Sequence, residues 1–198
     1  MSTPNRVAID LLPGFQSPEV ASFLAQLDDQ SASLDRALGD ITPDELSWQP
    51  RPGMNTIGML LAHLAIVEVW WSAIGTDQAE SDLPAVLGIG PDDDGMPLAA
   101  GGLAPAGLAG KDRAYFDQLM AKARRFVKET WESLPEAAIE REVQRTRADG
   151  TQRSFTMRWI LYHIVEHFTG HFGQIRLQRH LYQIERAPAE AAGGTKGA

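Results

Sequence analysis

The 198-residue chain contains no cysteine. That excludes disulfides, thiolate metal sites and a sulfur nucleophile carried by the protein itself. Any metal site has to be built from His, Asp, Glu and water. Runs of Lys and Arg are also missing. With 18 basic against 26 acidic residues, the formal net charge is −8 and the pI near 5.1. A phosphate-binding surface needs clustered cations, so no nucleic-acid partner is expected. The opening "MSTPNRVAIDLLPGFQ" lacks the basic end and apolar run of a signal peptide, which makes the cytoplasm the expected compartment. The longest apolar stretch, "IGMLLAHLAIVEVWW", is interrupted by His63 and Glu68 and reads as too short to span a bilayer, so no membrane partner is expected either. Histidine itself is scarce, with five in the chain.

What is present is an ordinary globular composition, 43% hydrophobic and 22% charged, in a length that supports one core. The expected organisation is a single domain over 1–186, followed by a tail over 187–198 too poor in apolar residues to pack. Four segments carry helical periodicity. The first opens at Ser17-Pro18, an N-cap followed by Pro at the first helical position, and repeats apolar residues from Val20 through Leu24, Leu27, Leu34 and Leu38. The loop "TPDELSWQPRPGMN" follows, and a second helix starts near Asn55 or Thr56 with Ile57, Leu60, Leu61, Leu64 and Trp71 on its core face. Residues 77–111, rich in Gly, Ala, Pro and Asp, read as a long connection. Within it the "DDD" at 92–94 is expected to be a solvated turn before Gly95.

A third helix is expected from Asp112 to about Leu134. "REVQRTRADGTQRSF" reads as a short hairpin around Asp149-Gly150, and a fourth helix runs from near Ser154 to about Ile184. The fold class is therefore all-α, a four-helix bundle with a long second connection and a short hairpin before the last helix. Of the tryptophans, Trp70, Trp71, Trp131 and Trp159 are expected to pack the core or line a cavity, and Trp48 to anchor its loop.

Three of the five histidines fall in "HIVEHFTGH", at His163, His167 and His171. On a helix, residues four apart sit about 6 Å along the axis and about 40° around it, so two such imidazoles can converge on one ion. His163 and His171 are about 12 Å apart by the same rise, which leaves 163/167 or 167/171 as the pair. A third ligand has to come from elsewhere. His180 is expected to be exposed near the helix end, whereas His63 lies mid-helix in apolar surroundings, where a neutral imidazole is a plausible ligand. A lone core histidine is more often satisfied by one hydrogen bond. The row of three, however, runs beside the apolar stripe of Ile160, Leu161, Ile164, Phe168, Phe172 and Ile175, and metal binding is its better reading. The run also contains His163-x-x-Glu166-His167, the inverted zinc-peptidase pattern, in which both histidines bind zinc and the glutamate is the base.

"ITPDELSWQPRPGMNTIGMLLAHLAIVEVWW", joined far downstream by "MRWILYHIVEHFTGHFGQIRLQR", resembles the DinB-like, or YfiT-like, superfamily of metal-dependent enzymes, the damage-inducible four-helix family and not the DNA polymerase. The likeness runs from about Pro18 to Tyr182. Its most specific parts are Trp48 and Pro50, the mid-helix His63, and His167, His171, Gly173 and Gln174. The resemblance implies an up-up-down-down bundle, homodimerisation, and a divalent ion, zinc or nickel, on His63, His167 and His171, with His163 as a neighbour. It also implies reactions of the kind known in the superfamily: S-transfer with mycothiol or bacillithiol, and mycothiol-dependent isomerisation of maleylpyruvate.

Three neutral histidines leave zinc its full charge and an open position, the layout of a catalytic site. The leading expectation is a metal-dependent thiol S-transferase in which a low-molecular-weight thiol is held as metal-bound thiolate and attacks a small-molecule electrophile. The missing cysteine fits a sulfur nucleophile that arrives with the cosubstrate. Glu166, Gln174 and Arg176 are candidates to orient ligands or bind the thiol's polar groups. Two rivals use the same histidines: a metal-dependent hydrolase, which predicts turnover without thiol, and a non-catalytic metal- or ligand-binding stress protein, which predicts a saturated site.

Overall fold

The computed structural model describes residues 8–76, 83–146 and 149–186, so the expected tail over 187–198 lies outside the described residues. The fold is mostly helical with one two-stranded hairpin. Helix α1 (Pro18–Leu38) starts where its cap dictates: Ser17 Oγ accepts the Val20 N–H, and Pro18 occupies the first position without needing a donor. Its stripe Val20, Leu24, Leu27, Leu34 and Leu38 is buried, and Gly39 at φ +46° ends it.

The Pro-rich loop contains a turn of helix that periodicity does not reveal. This is α2 (Pro43–Ser47), capped by Thr42 and buried through Leu46 and Glu45. Beyond it, Trp48 meets Tyr182 edge-on, with ring centroids 5.4 Å apart, and so ties the loop to the last helix.

Helix α3 (Ile57–Gly75) begins with Thr56 accepting the Met59 N–H, and it is buried on nearly every side. At 19 residues it runs past the stretch read from the sequence and is long and apolar enough to cross a bilayer, which corrects the expectation that it is too short. Most of it is buried by neighbouring elements, so its all-round hydrophobicity is that of a core helix. Gly75 at its end gives Trp131 room, since a Cβ there would stand 2.6 Å from that indole.

The connection after it holds a further helical turn, α4 (Leu83–Leu87). Helix α5 (Arg113–Trp131) is capped by Asp112 and buries Phe116, Leu119, Ala123, Val127 and Trp131. Strands β1 (Glu142–Thr146) and β2 (Gln152–Thr156) pair antiparallel with Val143 opposite Phe155, so the expected hairpin is present. The last helix, α6 (Met157–Arg186), starts three residues later than expected, because Ser154 is still paired with Gln144 in the ladder.

Helix α3 packs on α5 and α6, and α1 packs on α6. Between α1 and α5 the links are ionic. Arg113 reaches both Asp35 and Asp117, and Arg124 donates to Asp28, to Ser31 and to Glu68 of α3. Burial works against the Arg124 charge, but Glu68 and Asp28 outweigh it and hold the guanidinium pKa up. The arrangement leaves one edge of α3 facing one edge of α6, and the histidines meet there.

Candidate metal centre

His63 projects from the middle of α3, while His167 and His171 stand one turn apart on α6. Nε2 of His167 lies 3.1 Å from Nε2 of His63 and 3.1 Å from Nε2 of His171. The three ligand atoms all lie within 4.8 Å of one another. Zinc–nitrogen bonds of about 2.0–2.1 Å in a tetrahedron separate ligand nitrogens by roughly 3.3 Å, so the spacing fits one ion. The pair that joins His63 is thus 167/171.

The far side of two rings fixes what the near side presents. His63 Nδ1 is 2.7 Å from Asp94 Oδ2, and His171 Nδ1 is 2.9 Å from Gln174 Oε1. A carboxylate and an amide oxygen only accept, so each Nδ1 carries its proton and each neutral ring turns a bare Nε2 lone pair inward. His167 has at most one Nε2 proton to offer two such neighbours. With both neighbours in the neutral form, at least one of the two 3.1 Å contacts sets lone pair against lone pair, unless a cation lies between them. Burial, followed by the neighbouring His171, His63 and His163, pushes the His167 pKa down to about 3. Burial lowers that of His171 as well. Both rings are neutral at pH 7 and available as ligands, and the donor set fits a divalent ion of the zinc or nickel type.

The other sequence candidates fall outside this cluster. His163 stacks on Trp159 at 4.7 Å and 11° and meets Trp71 edge-on at 5.1 Å. Its Nδ1 is 3.3 Å from Glu166 Oε2, and the Glu166 side chain is 54% exposed. The inverted peptidase pattern is therefore split, with one histidine in an aromatic stack and its glutamate facing that stack. Gln174 contacts His171 directly. Arg176 is exposed, with its guanidinium 5.9 Å from the centre of the Phe172 ring, and His180 is exposed as expected.

Asp94 is the residue the sequence reading missed. The "DDD" does form a turn with Asp92 and Asp93 exposed, but Asp94 is 1% exposed and points at His63. Its second oxygen accepts the Met96 N–H. Three identical acids in a row give no sign of which one turns inward. Gly95 at φ +71° is the hint, because a Cβ there would stand 2.8 Å from Pro105. The connection bearing Asp94 is fastened to the Pro-rich loop: Gln49 donates to the Met54 and Gly102 carbonyls, and the Gly53 N–H also reaches Gly102.

A cavity of about 260 Å³ opens beside the histidines. One face of α3 supplies His63, Ile66, Val67, Trp70 and Trp71, and Pro91, Asp94, Met96 and His167 complete it. A second cavity of about 270 Å³ lies between α1 and α5, walled by Leu34, Leu61, Phe116 and Phe168 and rimmed by the ion pairs of Arg113 and Arg124.

These features define a helical protein with a cluster of three imidazoles that could hold a metal ion, at the edge of an aromatic cavity. Residues 22–183 match the family described as mycothiol-S-transferase, a DinB-like family, and the chain belongs to it. Among solved structures, the chain is similar to a conserved protein from Enterococcus faecalis. The TM-score is 0.57 at 14% identity, over 80% of this chain and 94% of that one, which is a likeness of fold. A comparison with curated proteins gives no match.

Proposed function

We propose that the protein is a metal-dependent thiol S-transferase whose divalent ion, zinc or nickel, is held by His63, His167 and His171. The observation that carries this reading is the convergence of three Nε2 atoms, two of them on rings whose Nδ1 faces an acceptor, the arrangement that leaves Nε2 bare in the neutral ring. Family membership supports the transferase half of it. A divalent ion bound there supplies a positive centre that favours the deprotonated form of a thiol at neutral pH.

The chain's own residues do the rest. Asp94 and Gln174 lock the His63 and His171 rings in the tautomer and orientation that leave Nε2 bare. His167, held neutral by its burial, keeps its lone pair in the pH range where a thiol transferase works. The apolar walls of the adjoining cavity keep water from the electrophile. Because the chain carries no cysteine, the sulfur nucleophile comes with the cosubstrate, for which the family points to mycothiol. Glu166 and Arg176, exposed on α6, are assigned no step. In the same reading the four long helices form an up-up-down-down bundle, with α1 and α3 diagonal to each other, a pattern that the packing of α3 on α5 and α6 and of α1 on α6 favours.

The test is conjugation of a small acceptor, methyl vinyl ketone, by the metal-loaded protein with mycothiol and with other low-molecular-weight thiols. Acceleration that needs both metal and thiol is expected. If no thiol is used faster than in the protein-free reaction, the transferase reading fails, and turnover of an ester without thiol would point to hydrolysis instead.

A further inference from the structure

The cavity beside the histidines has a composition that selects its occupant. Trp71 is fixed by ring contacts at 4.9–5.2 Å to Trp70, Phe155, Trp159 and His163, so the indole wall is set before anything binds. Rigid indoles favour another ring, stacked or edge-on. Met96, also in the lining, adds a polarizable thioether that adapts to ring edges. Lysine and arginine are absent from the lining residues. The formal charge in the lining belongs to Asp94, whose two oxygens are already engaged by His63 and by the Met96 N–H. In the thiol-transfer reading the positive centre is taken up by the thiolate, so an anionic acceptor would leave its hydration shell to sit beside that thiolate and the Asp94 carboxylate, with no Lys or Arg in the walls to offset them. A volume of about 260 Å³ falls just below the range of about 300–1,000 Å³ usual for ligand pockets, which suits a small occupant.

We propose that this cavity seats the second substrate of the transfer, and that this substrate is an uncharged electrophile carrying one aromatic ring. The inference rests on the thiol-transfer reading and adds the class of acceptor to it. With an aryl enone the chemistry closes without a leaving group or an oxidant. The thiol gives up its proton to solvent and a carbon–sulfur bond forms at the β-carbon. The carbon–carbon π bond breaks, and the resulting enolate takes a proton from water. The sum is one thiol plus one enone giving one thioether. Val67, one turn from His63 on the same helix face, and Trp70 set the size and polarity of the seat.

The test uses metal-loaded full-length protein and two readouts. The first is calorimetric binding of 4-phenyl-2-butanone, an unreactive aryl ketone, beside 2-butanone, which lacks the ring. Wild type is expected to bind the aryl ketone at least tenfold more tightly than butanone. Both Val67→Asp and Trp70→Leu should lose at least tenfold of that affinity while retaining their metal and their helical circular dichroism. The second is turnover of 4-phenyl-3-buten-2-one with thiol, where both variants should raise the KM for the enone and not the KM for the thiol. Failure of wild type to bind the aryl ketone, or a rise in the thiol KM instead, overturns the assignment. Absence of thiol-dependent turnover with any acceptor, while the aryl ketone still binds and the variants still weaken it, sinks the transferase reading and leaves the aromatic seat standing.

Discussion

Asp94 is not one of the three converging imidazoles, yet the tautomer of His63 depends on it. Its carboxylate, 2.7 Å from Nδ1 and 2% exposed, has no solvent to compete for the proton that it holds in place. Losing such an outer partner typically costs 10–100-fold in metal affinity, a range of about 1.4–2.7 kcal/mol. Asp94→Asn is therefore expected to weaken zinc binding by about tenfold or more in competition with a chelator, with the fold intact by circular dichroism. An unchanged affinity would show that the ring is held by something else.

His167 makes a second prediction at the same scale, for metal-free protein. Its pKa is about 3 in the folded chain, below the ordinary value of 6.5 that an unfolded histidine shows. Above pH 6.5 neither state is protonated, and the full stability is present. As the pH falls from 6.5 toward 3 the unfolded chain gains a proton that the folded chain refuses, so stability falls with a slope of up to about 1.4 kcal/mol per pH unit. Burial of His171 acts in the same direction. Urea unfolding of metal-free protein between pH 7 and 5 should show this slope, and His167→Asn should flatten it. Equal slopes in the two proteins would mean that His167 titrates normally when the metal is absent.

Among the elements, α3 carries the most, since it packs on both α5 and α6 and presents His63. It also buries a charge: Glu68 is 2% exposed at its side chain and paired at 2.9 Å with Arg124 of α5. Removing one member leaves the other uncompensated in the interior, at a cost of about 3–5 kcal/mol, whereas replacing both with apolar residues is often neutral. Arg124→Met should lower the unfolding free energy by about that amount, and the double variant Arg124→Met/Glu68→Met should recover most of it. A double variant no more stable than the single one would show that the ion pair, including its reach to Asp28, is irreplaceable.

The elements also divide by how legible they are in the sequence. Helices α1, α3 and α5 begin at Ser17, Thr56 and Asp112, each of which caps its helix by accepting an N–H three residues on, and caps of that kind can be read residue by residue. Helix α2 is five residues long and α4 is five, too short for periodicity to register. The hairpin was legible from its Asp149-Gly150 turn, but the end of β2 was not. "SFT" suits a strand and a helix start equally, and only its pairing with β1 decides between them.

At the scale of the whole molecule, the site is a meeting of three distant segments: α3, the connection that holds Asp94, and α6. Helical spacing limited the α6 ligands to two pairs, and the apolar mid-helix setting of His63 made it a plausible third. The choice between the pairs came from the resemblance to the superfamily, and in the structure His163 is drawn into the Trp71–Trp159 stack. The inward turn of Asp94 depends on how the connection folds back over α3, and no local pattern encodes that. The cavity is likewise a property of the assembled chain. Trp70 and Trp71 were recognisable as core or cavity residues, and in the folded chain both line the cavity together with Pro91 and Met96 of the connection.

The central claim is that His63, His167 and His171 hold one divalent ion and His163 does not. Metal content by mass spectrometry on purified wild type, His63→Ala, His163→Ala and His171→Ala tests it directly. About one ion per chain is predicted in wild type and in His163→Ala, with loss in His63→Ala and in His171→Ala. Loss in His163→Ala with retention in His171→Ala, or a wild-type protein that takes up no divalent ion when one is supplied, would contradict the account.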